Sequence, residues 1–424
     1  MKRTRYALTV VLCLFALGTL GYYYAFASDE RLPPFQLVTV EGDAKEGAAL
    51  ELSGTYGGRM YSKPLIVTTE GSVYRLQETL AEAVLDSRSW LLELPGLKEI
   101  RKEHPNFMRG KSSTSGWYED EEKLIYADAV VSGGQSRTAR LDADLLDLKS
   151  GKTSRFSVPL PDQKYDFAYT EDVQLVGDQL HVLVAQRKLE AGSANLPTVY
   201  VDYVLNLSDG SLIDRKKLAF DWKTTPGASL QISVVTEGMA TAPSDSVILQ
   251  IDEIMQKQVS EHVAAELKLL NEKLVSYSYS TDEMKELPSL FKPGDEPYRV
   301  FNTLDGNVLT SLRPDDDADQ LEWTRTDLTT GKQLASLSVT GEQLGAQDIG
   351  SSFAVDGRIY VLLYPTRLNV PESMQDDGEP TMAAVLDADS GKVLYRGKVV
   401  SVDPKRSAEK ELKQLQLNNL NRRE

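Results

Sequence analysis

"FAVDGRIYVLLYPTR" (Phe353–Arg367) and "MAAVLDADSGKVLYRGKVV" (Met382–Val400) each join two apolar runs through a short polar turn that contains glycine. Asp and Ser favour tight turns, and Gly supplies the positive φ that hairpin loops require. Each stretch therefore predicts a β-hairpin. Because the second hairpin soon follows the first, the pair predicts a sheet of four strands.

The same pair of hairpins recurs along the chain. Leading hairpins place their turns 50 to 68 residues apart, at Gly71, Glu121, Gly177, Asp245, Gly306 and Gly357. Second hairpins have turns at Gly151, Gly210, Asp282, Gly331 and Gly391. A four-stranded antiparallel sheet repeated at this period is typical of a β-propeller blade, which buries its two faces against its neighbours. We therefore predict an all-β propeller of six blades, or seven if residues 77–109 contain a degenerate one.

Three of the second hairpins share the pattern D-x-x-[ST]-G-K, at Asp147–Lys152, Asp327–Lys332 and Asp387–Lys392. The pattern resembles the blade hairpins of quinoprotein-like and WD40-like propellers, over about residues 60–400. No tryptophan follows these turns, and the Gly-His and Trp-Asp signatures of WD40 blades are absent from the sequence. The resemblance therefore implies a fold, and it implies no catalytic or cofactor site.

Closing such a ring requires strands from the two ends of the chain to share a sheet. The isolated strand "FQLVTV" (Phe35–Val40) is placed to pair with the hairpin around Gly391. Tandem β-sandwiches are the alternative fold, since they also contain regular strands with turn signals. A fixed period of paired hairpins favours the propeller.

The N-terminus indicates export. Basic residues at positions 2, 3 and 5 precede an uncharged run, residues 6–26, which is long enough to cross a bilayer as a helix. We expect a single-pass anchor at the cell membrane with an extracytoplasmic C-terminal domain. A signal peptide cleaved near Ala27, which would release a secreted protein, is the alternative.

These boundaries divide the chain into an anchor or signal peptide (residues 1–27), a propeller (28–407) and a C-terminal tail (408–424) that forms a short helix or a frayed end. Within the propeller, residues 252–273 predict a helical insertion. Apolar residues there recur at helical spacing, at Met255, Val259, Val263, Leu267 and Leu270. Residues 78–111 predict two short helices around Pro95 and Gly96, and their basic, apolar character makes them the best candidate for a contact surface.

Charge and cysteine content exclude several classes of function. The chain carries −16, and without the three basic groups of its first 27 residues the remainder carries −19, which disfavours nucleic acid. Cys13 is the single cysteine and lies in the expected anchor, so the exported part has no thiol chemistry and no disulfides.

Motifs that would indicate a reaction are missing from the sequence. The fragments "GKS" and "GKT" lack the earlier glycine of a phosphate loop, and there is no G-x-S-x-G. His104, His181 and His262 are isolated, and the acidic stretches Pro314–Gln320 and Met374–Pro380 lack the ligand spacing of a calcium loop. The sequence therefore identifies no catalytic, cofactor-binding or metal-binding residue, and we expect no cofactor.

Three functions remain open. The first is a membrane-anchored binding or scaffold protein that holds a protein, peptide or envelope polymer on a propeller face. The second is a propeller-type enzyme acting on carbohydrate, such as a glycosidase, lyase or dehydrogenase, whose active groups converge from several blades. The third is a sensor or regulatory ectodomain that acts with a membrane partner.

Overall fold

A computed structural model describes residues 32–57, 62–74, 95–111, 113–132, 138–161, 165–188, 198–220, 222–235, 243–257, 266–292, 299–315, 319–365, 380–405 and 407–423. The expected anchor at residues 6–26 lies outside these ranges. Within them, no helix has the length and apolar character needed to cross a membrane.

Six antiparallel sheets make up the described part of the chain, and four of them are formed by consecutive strands. Blade 2 contains β5 (Trp117–Glu119), β6 (Lys123–Ser132), β7 (Thr138–Asp147) and β8 (Thr153–Pro159). Blade 3 contains β9 (Tyr165–Val176), β10 (Gln179–Lys188), β11 (Val199–Asn206) and β12 (Leu212–Lys217). Blade 4 contains β13 (Ala228–Val235), β14 (Ser246–Lys257), β15 (Glu266–Ser278) and β16 (Met284–Leu287). Blade 5 contains β17 (Phe301–Asp305), β18 (Val308–Asp315), β19 (Gln320–Asp327) and β20 (Lys332–Thr340).

The other two sheets combine strands from both ends of the chain. Blade 6 contains β21 (Asp348–Val355), β22 (Arg358–Tyr364), β23 (Met382–Asp387) and β24 (Val393–Ser401), with β1 (Phe35–Gly42) as a fifth strand beside β24. Blade 1 contains β2 (Leu50–Tyr56), β3 (Lys63–Thr68) and β4 (Gly71–Tyr74), and its first strand is β25 (Leu415–Arg422), beside β2. The predicted pairing of Phe35–Val40 with the last repeat is confirmed, because Phe35 lies opposite Ser401 and Leu37 opposite Val399.

The blades form a ring through contacts between their first strands and through apolar clusters between neighbouring sheets. First strands contact one another from β5 to β9, β13 to β17, β17 to β21 and β21 to β25. Separate apolar clusters join blades 2 and 3, 3 and 4, 4 and 5, 5 and 6, and 6 and 1. Four-stranded sheets stacked face to face around a ring are the arrangement of a propeller, so the predicted fold and six blades are confirmed.

The shared turn pattern has a clear physical basis. In the hairpin between β23 and β24, the carboxylate of Asp387 accepts a hydrogen bond from the backbone N–H of Ser390 at 2.9 Å. The N–H of Gly391 then donates to the carbonyl of Asp387 at 2.8 Å, with φ of 71° at the glycine. A side chain at this φ would be strained, so the glycine and the aspartate together specify the turn.

In the described ranges, four short α-helices lie between the strands: α1 (Ala44–Ala48), α2 (Pro95–Glu103), α3 (Pro105–Met108) and α4 (Ala408–Leu412). A 3₁₀ helix spans Glu342–Leu344. The helix predicted after Pro95 is thus present, and its apolar residues Leu97 and Ile100 are buried. The helix predicted before Pro95 falls on residues 75–94, outside the described ranges.

The predicted helical insertion at residues 252–273 is wrong. Residues 252–257 belong to β14 and residues 266–273 to β15, two strands paired along their length, while 258–265 lie outside the described residues. Both faces of this hairpin are buried: Leu249 contributes to the cluster shared with blade 3, and Ile248 to the cluster shared with blade 5. Burial between two blades outweighs the local helical spacing of a few apolar residues.

The predicted helical or frayed tail at 408–424 is also corrected, because only α4 is helical and β25 is a strand of the ring. Leu415, Leu417 and Leu420 of β25 are buried between blades 6 and 1. As a result, the turn at Gly71 belongs to the second hairpin of blade 1, between β3 and β4, and is not a leading turn. β25, which is distant in sequence, is the fourth strand of blade 1 beside β2, β3 and β4.

Candidate functional site

The junction between blades 1 and 2 differs from the other five. Among the described residues, no apolar cluster joins these two blades. Instead, α2 and α3 pack on the face of blade 2 that points away from blade 3, in a cluster of Leu97, Ile100, Phe107 and Met108 with Trp117, Leu124, Tyr126 and Leu146. These helices cover only the part of the face nearest the turns at Glu121 and Gly151.

The remainder of that face is polar. Along β6 the side chains of this face are Leu124, Tyr126, Asp128 and Val130, because successive residues of a strand point to opposite faces. Neighbouring β7 places Asp142 opposite Asp128 and Arg140 opposite Val130. The outermost strand, β8, places Ser157 opposite Asp142. The face is therefore apolar under the helices and charged beyond them.

The charged part forms a cavity of about 450 Å³, here named the blade 2 cleft. Its lining consists of Arg109, Gly110, Lys111, Tyr126, Asp128, Val130, Arg140, Asp142, Asp144, Arg155 and Ser157. Such a volume lies within the range of small-ligand sites, which is about 300–1,000 Å³. A side chain or a short peptide segment fits a cavity of this size.

Lys111 fixes the helical segment to the blade. Its ammonium donates to the carboxylate of Asp144 and to the carbonyl of Phe107, both at 2.6 Å, and its side chain is 4% exposed. The ammonium also lies 4.1 Å from the centre of the Phe107 ring, a cation–π distance. Because a buried ammonium is stable only with such partners, these contacts hold the end of α3 over the strands.

Most charges of the cleft are paired with one another. Arg140 Nε lies 2.9 Å and 3.0 Å from the two carboxylate oxygens of Asp142, and the hydroxyl of Ser157 donates to Asp142 at 2.6 Å. The guanidinium of Arg155 donates to both oxygens of Asp144, from Nη2 at 2.9 Å and from Nε. Two of the three carboxylates are therefore paired with basic side chains, Asp142 with Arg140 and Asp144 with Lys111 and Arg155.

Asp128 is the exception. Among the described residues it forms no ion pair, and Tyr126 and the N–H of Ala129 are its hydrogen-bond donors. Burial raises the pKa of Asp128, and the charge of Asp142 opposite it adds to the shift. Burial also opposes ionisation of Asp142, but the hydrogen bonds and charge of Arg140 and Ser157 outweigh it and lower the pKa of that carboxyl. Two facing carboxylates thus have pKa values moved in opposite directions.

A second polar cluster lies between blades 3 and 4 and is fully buried. His181 Nδ1 is 2.8 Å from the carboxylate of Asp202, and the hydroxyl of Tyr277 donates to the same carboxylate oxygen at 3.2 Å. The hydroxyl of Tyr279 donates to Asp172 at 2.6 Å. Because the two tyrosine hydrogen bonds cross from blade 4 to blade 3, they stabilise the junction.

Glu171 lies next to that cluster, at a bulge of β9 where the ladder to β10 shifts between Thr170 and Asp172. Burial raises its pKa to about 7, against the opposing effect of its hydrogen bonds with Tyr169 and Tyr200. The carboxyl therefore titrates near neutral pH, which makes this junction sensitive to pH.

The positions predicted from sequence do not converge on one site. The contact segment, residues 78–111, contributes Arg109, Gly110 and Lys111 to the cleft. His181 is buried, His104 precedes α3, and His262 lies outside the described residues. Of the acidic stretches, residues 316–318 and 374–379 also lie outside them. In the part of the chain that is described, no three His, Cys, Asp or Glu side chains are grouped as a metal site would require.

Sequence reasoning missed Asp128, Arg140, Asp142 and Asp144, although a signal was present. The segment "RLDAD" places charged residues at every second position of a predicted strand, at Arg140, Asp142 and Asp144. A blade packed on both faces needs apolar residues there. Charged alternation in a propeller strand therefore indicates a face that its neighbour does not cover.

No family model matches the sequence, and no curated protein does either. Solved structures that are similar include a Pyrococcus horikoshii acylaminoacyl peptidase, with 10% identity, a TM-score of 0.29, and coverage of 84% of this chain and 47% of that one. The chain spans about half the length of the acylaminoacyl peptidases it matches. Another is the Pseudomonas aeruginosa periplasmic gluconolactonase PpgL, with 12% identity, a TM-score of 0.29, and coverage of 88% and 98%. The β-propeller domain of the Trilobed protease from Pyrococcus furiosus matches with 8% identity, a TM-score of 0.23, and coverage of 66% and 83%.

Proposed function

We propose that this protein is a membrane-anchored, extracytoplasmic binding protein that holds a segment of a partner protein in the blade 2 cleft. The observation that carries the proposal is Asp128, a half-buried carboxylate in a cavity where the other carboxylates have basic partners. Ionising a buried carboxylate without a cation costs free energy. A ligand that places a positive charge beside Asp128 recovers that free energy.

The position of the cleft supports the proposal. Among the described residues, it lies at the one junction where a helical segment, and not the next blade, packs on a sheet. The scaffold around it is rigid, because Lys111, Asp144 and Arg155 connect α3, β7 and β8. A preformed cavity on rigid strands loses little conformational entropy when a ligand binds. The apolar run at residues 6–26 would hold such a site at the membrane surface.

Site-directed photo-crosslinking in intact cells tests this function. A photoreactive amino acid at Ser157, which lines the cleft, should give one defined adduct with a partner protein. Val130→Trp fills the cleft and should abolish the adduct. Leu334→Trp, at a side chain 44% exposed on β20 of blade 5, is the matched control and should leave it unchanged. Equal adduct formation by both tryptophan variants would show that the cleft is not the binding site.

An enzyme acting on carbohydrate is the second candidate, and one observation favours it. Asp128 and Asp142 face each other with pKa values moved apart, as in sites where one carboxyl is the acid and the other the ionised partner. A panel of glycosides tests this candidate. Turnover abolished by both Asp128→Asn and Asp142→Asn would favour the enzyme, whereas the binding function predicts no turnover by the parent protein.

A further inference from the structure

The lining of the blade 2 cleft contains two charged groups that form no ion pair with the described residues. One is Asp128, inside the cavity. The other is Arg109, an exposed side chain directly after α3. The two charges have opposite sign and lie on different elements, β6 and the segment after α3. A ligand with one positive and one negative charge would therefore form an ion pair with each of these two groups.

Apart from Arg109, the described basic groups of the cleft already have partners. Lys111 is buried and held by Asp144 and by the Phe107 carbonyl. Arg140 and Arg155 each direct two hydrogen bonds at their own carboxylates. Moving any of these three cations to Asp128 would leave another carboxylate with fewer donors. Arg109 forms no ion pair with Asp128, so a basic group supplied by a ligand compensates Asp128 without disturbing the existing pairs.

The net charge of the residues that line the cleft decides whether the ligand carries a basic group alone or both a basic and an acidic group. Arg109, Lys111, Arg140 and Arg155 are basic, and Asp128, Asp142 and Asp144 are acidic. A ligand with a basic group alone would increase the positive excess of the lining. An acidic group near Arg109 would offset it, and Arg is well suited to bind carboxylate through paired N–H donors.

We infer, on the basis of the proposed function, that the partner segment inserts a basic side chain that pairs with Asp128 and carries an adjacent acidic side chain that pairs with Arg109. A peptide is favoured over a free small molecule because it can present a basic and an acidic side chain together to two groups that lie on different elements, β6 and the segment after α3. The net charge of the protein, −16, also attracts the basic group during encounter.

Binding is then coupled to protonation of Asp128. The groups that face this carboxyl are Tyr126 on its own strand, Arg140, Asp142 and Asp144 on β7, Ser157 and Arg155 on β8, and Lys111 and Arg109 after α3. A basic side chain pairs only with the ionised carboxyl. Because burial raises the pKa of Asp128, affinity should fall as pH is lowered, starting at a pH above the ordinary aspartate range.

Four blocked tetrapeptides test the inference by isothermal titration calorimetry with the full-length protein in detergent. Their sequences are Gly-Arg-Asp-Gly, Gly-Arg-Ala-Gly, Gly-Ala-Asp-Gly and Gly-Ala-Ala-Gly. We expect the first to bind most tightly. Asp128→Asn should weaken binding of both arginine peptides at least tenfold, and Arg109→Ala should reduce the first peptide to the affinity of the second. Glu121→Gln, at an exposed turn of the same blade, is the control and should change nothing.

Unchanged affinity of Gly-Arg-Asp-Gly in Asp128→Asn would overturn the inference, and so would equal binding of Gly-Ala-Asp-Gly. If no peptide binds while Val130→Trp still abolishes the crosslinked adduct, the cleft is the binding site but the ligand chemistry inferred here is wrong. If the peptides bind and no adduct forms with the parent protein, the chemistry is correct and the proposed partner is wrong. Melting temperatures confirm that each variant is folded.

Discussion

Leu52 lies opposite Leu420 in the ladder between β2 and β25, so the last strand of the chain is the first strand of the first blade. The opposite end of the chain adds β1 to the outer edge of blade 6. Two strands therefore close the ring at the junction of blades 6 and 1. β25, from the C-terminal end of the chain, joins blade 1, and β1, from the N-terminal end, joins blade 6. Both strands contribute buried residues, such as Phe35 and Leu417, to one apolar cluster.

Removing β25 should damage the ring more than removing β1. Truncation before Leu415 removes the innermost strand of blade 1 and exposes the edge of β2, whereas deletion of Phe35–Val40 removes an added outer strand. We expect both truncations to lower the melting temperature and to increase hydrogen exchange in residues 382–400, with the larger effect for the loss of β25. Unchanged protection of that hairpin after either truncation would mean that the closure does not stabilise the domain.

Lys111→Ala should destabilise the protein by about 2–4 kcal/mol, because it leaves a cavity and removes a buried cation from Asp144 and the Phe107 carbonyl. Arg155 still contacts Asp144, which limits the loss. Lys149→Ala removes the exposed pair with Glu122 on the same blade and should cost much less stability than Lys111→Ala. Urea unfolding compares the two variants, and equal losses would contradict a structural role for Lys111.

Glu171→Gln should become increasingly stabilising as pH rises. The pKa of Glu171 is about 7 in the folded protein and near 4.5 in the unfolded chain. Between those values the unfolded chain has lost its proton and the folded protein retains it, so the stability of the parent protein falls as pH rises. The Glu171→Gln variant does not lose stability in this way. Its free energy of unfolding relative to that of the parent protein should therefore grow from pH 4.5 to 7 and reach a gain of about 1–3 kcal/mol. Thermal unfolding at several pH values measures it, and a constant difference would be contrary to the expectation.

Asp128→Asn should stabilise the unliganded protein at neutral pH while it weakens ligand binding. The raised pKa of Asp128 means that its ionisation costs free energy in the folded state, and asparagine avoids that cost and retains the acceptor for Tyr126. The melting temperature should therefore rise at pH 7.5 and the gain should shrink at acid pH. Destabilisation at pH 7.5 would indicate that the carboxylate is compensated within the protein.

The two segments with incorrect secondary-structure predictions each contain a β-bulge. The ladder between β14 and β15 shifts at Glu253 and Ile254, and the ladder between β2 and β25 shifts at Ser53 and Gly54. A β-bulge adds a residue to one strand and interrupts the alternation of apolar and polar positions. In β15 the interruption falls beside Leu267 and Leu270, two of the five apolar positions behind the helical prediction, while residues 259 and 263 lie outside the described ranges. Only the partner strand reveals the bulge.

The candidate site was predicted only in part. The sequence predicted a contact surface at residues 78–111, and Arg109, Gly110 and Lys111 of that segment line the cleft, but the carboxylates of the cleft were not predicted. Asp128 and Asp142 are unremarkable as strand residues in a sequence with 63 acidic groups. Their importance depends on which blade face remains uncovered, and that depends on where α2 and α3 pack.

By itself, the sequence determined the elements that depend on neighbouring residues: the turns that require Asp and Gly, the paired hairpins, and hence a propeller of six or seven blades. It also predicted that Phe35–Val40 pairs with the last repeat. Tertiary structure alone decided that β25 completes blade 1, and which face of blade 2 has no other blade packed on it in the described ranges. The physical reason is range. A turn such as Asp387–Lys392 is specified by hydrogen bonds between residues at most five positions apart, whereas the pairing of Leu52 with Leu420 and the environment of Asp128 arise only when the whole ring has closed.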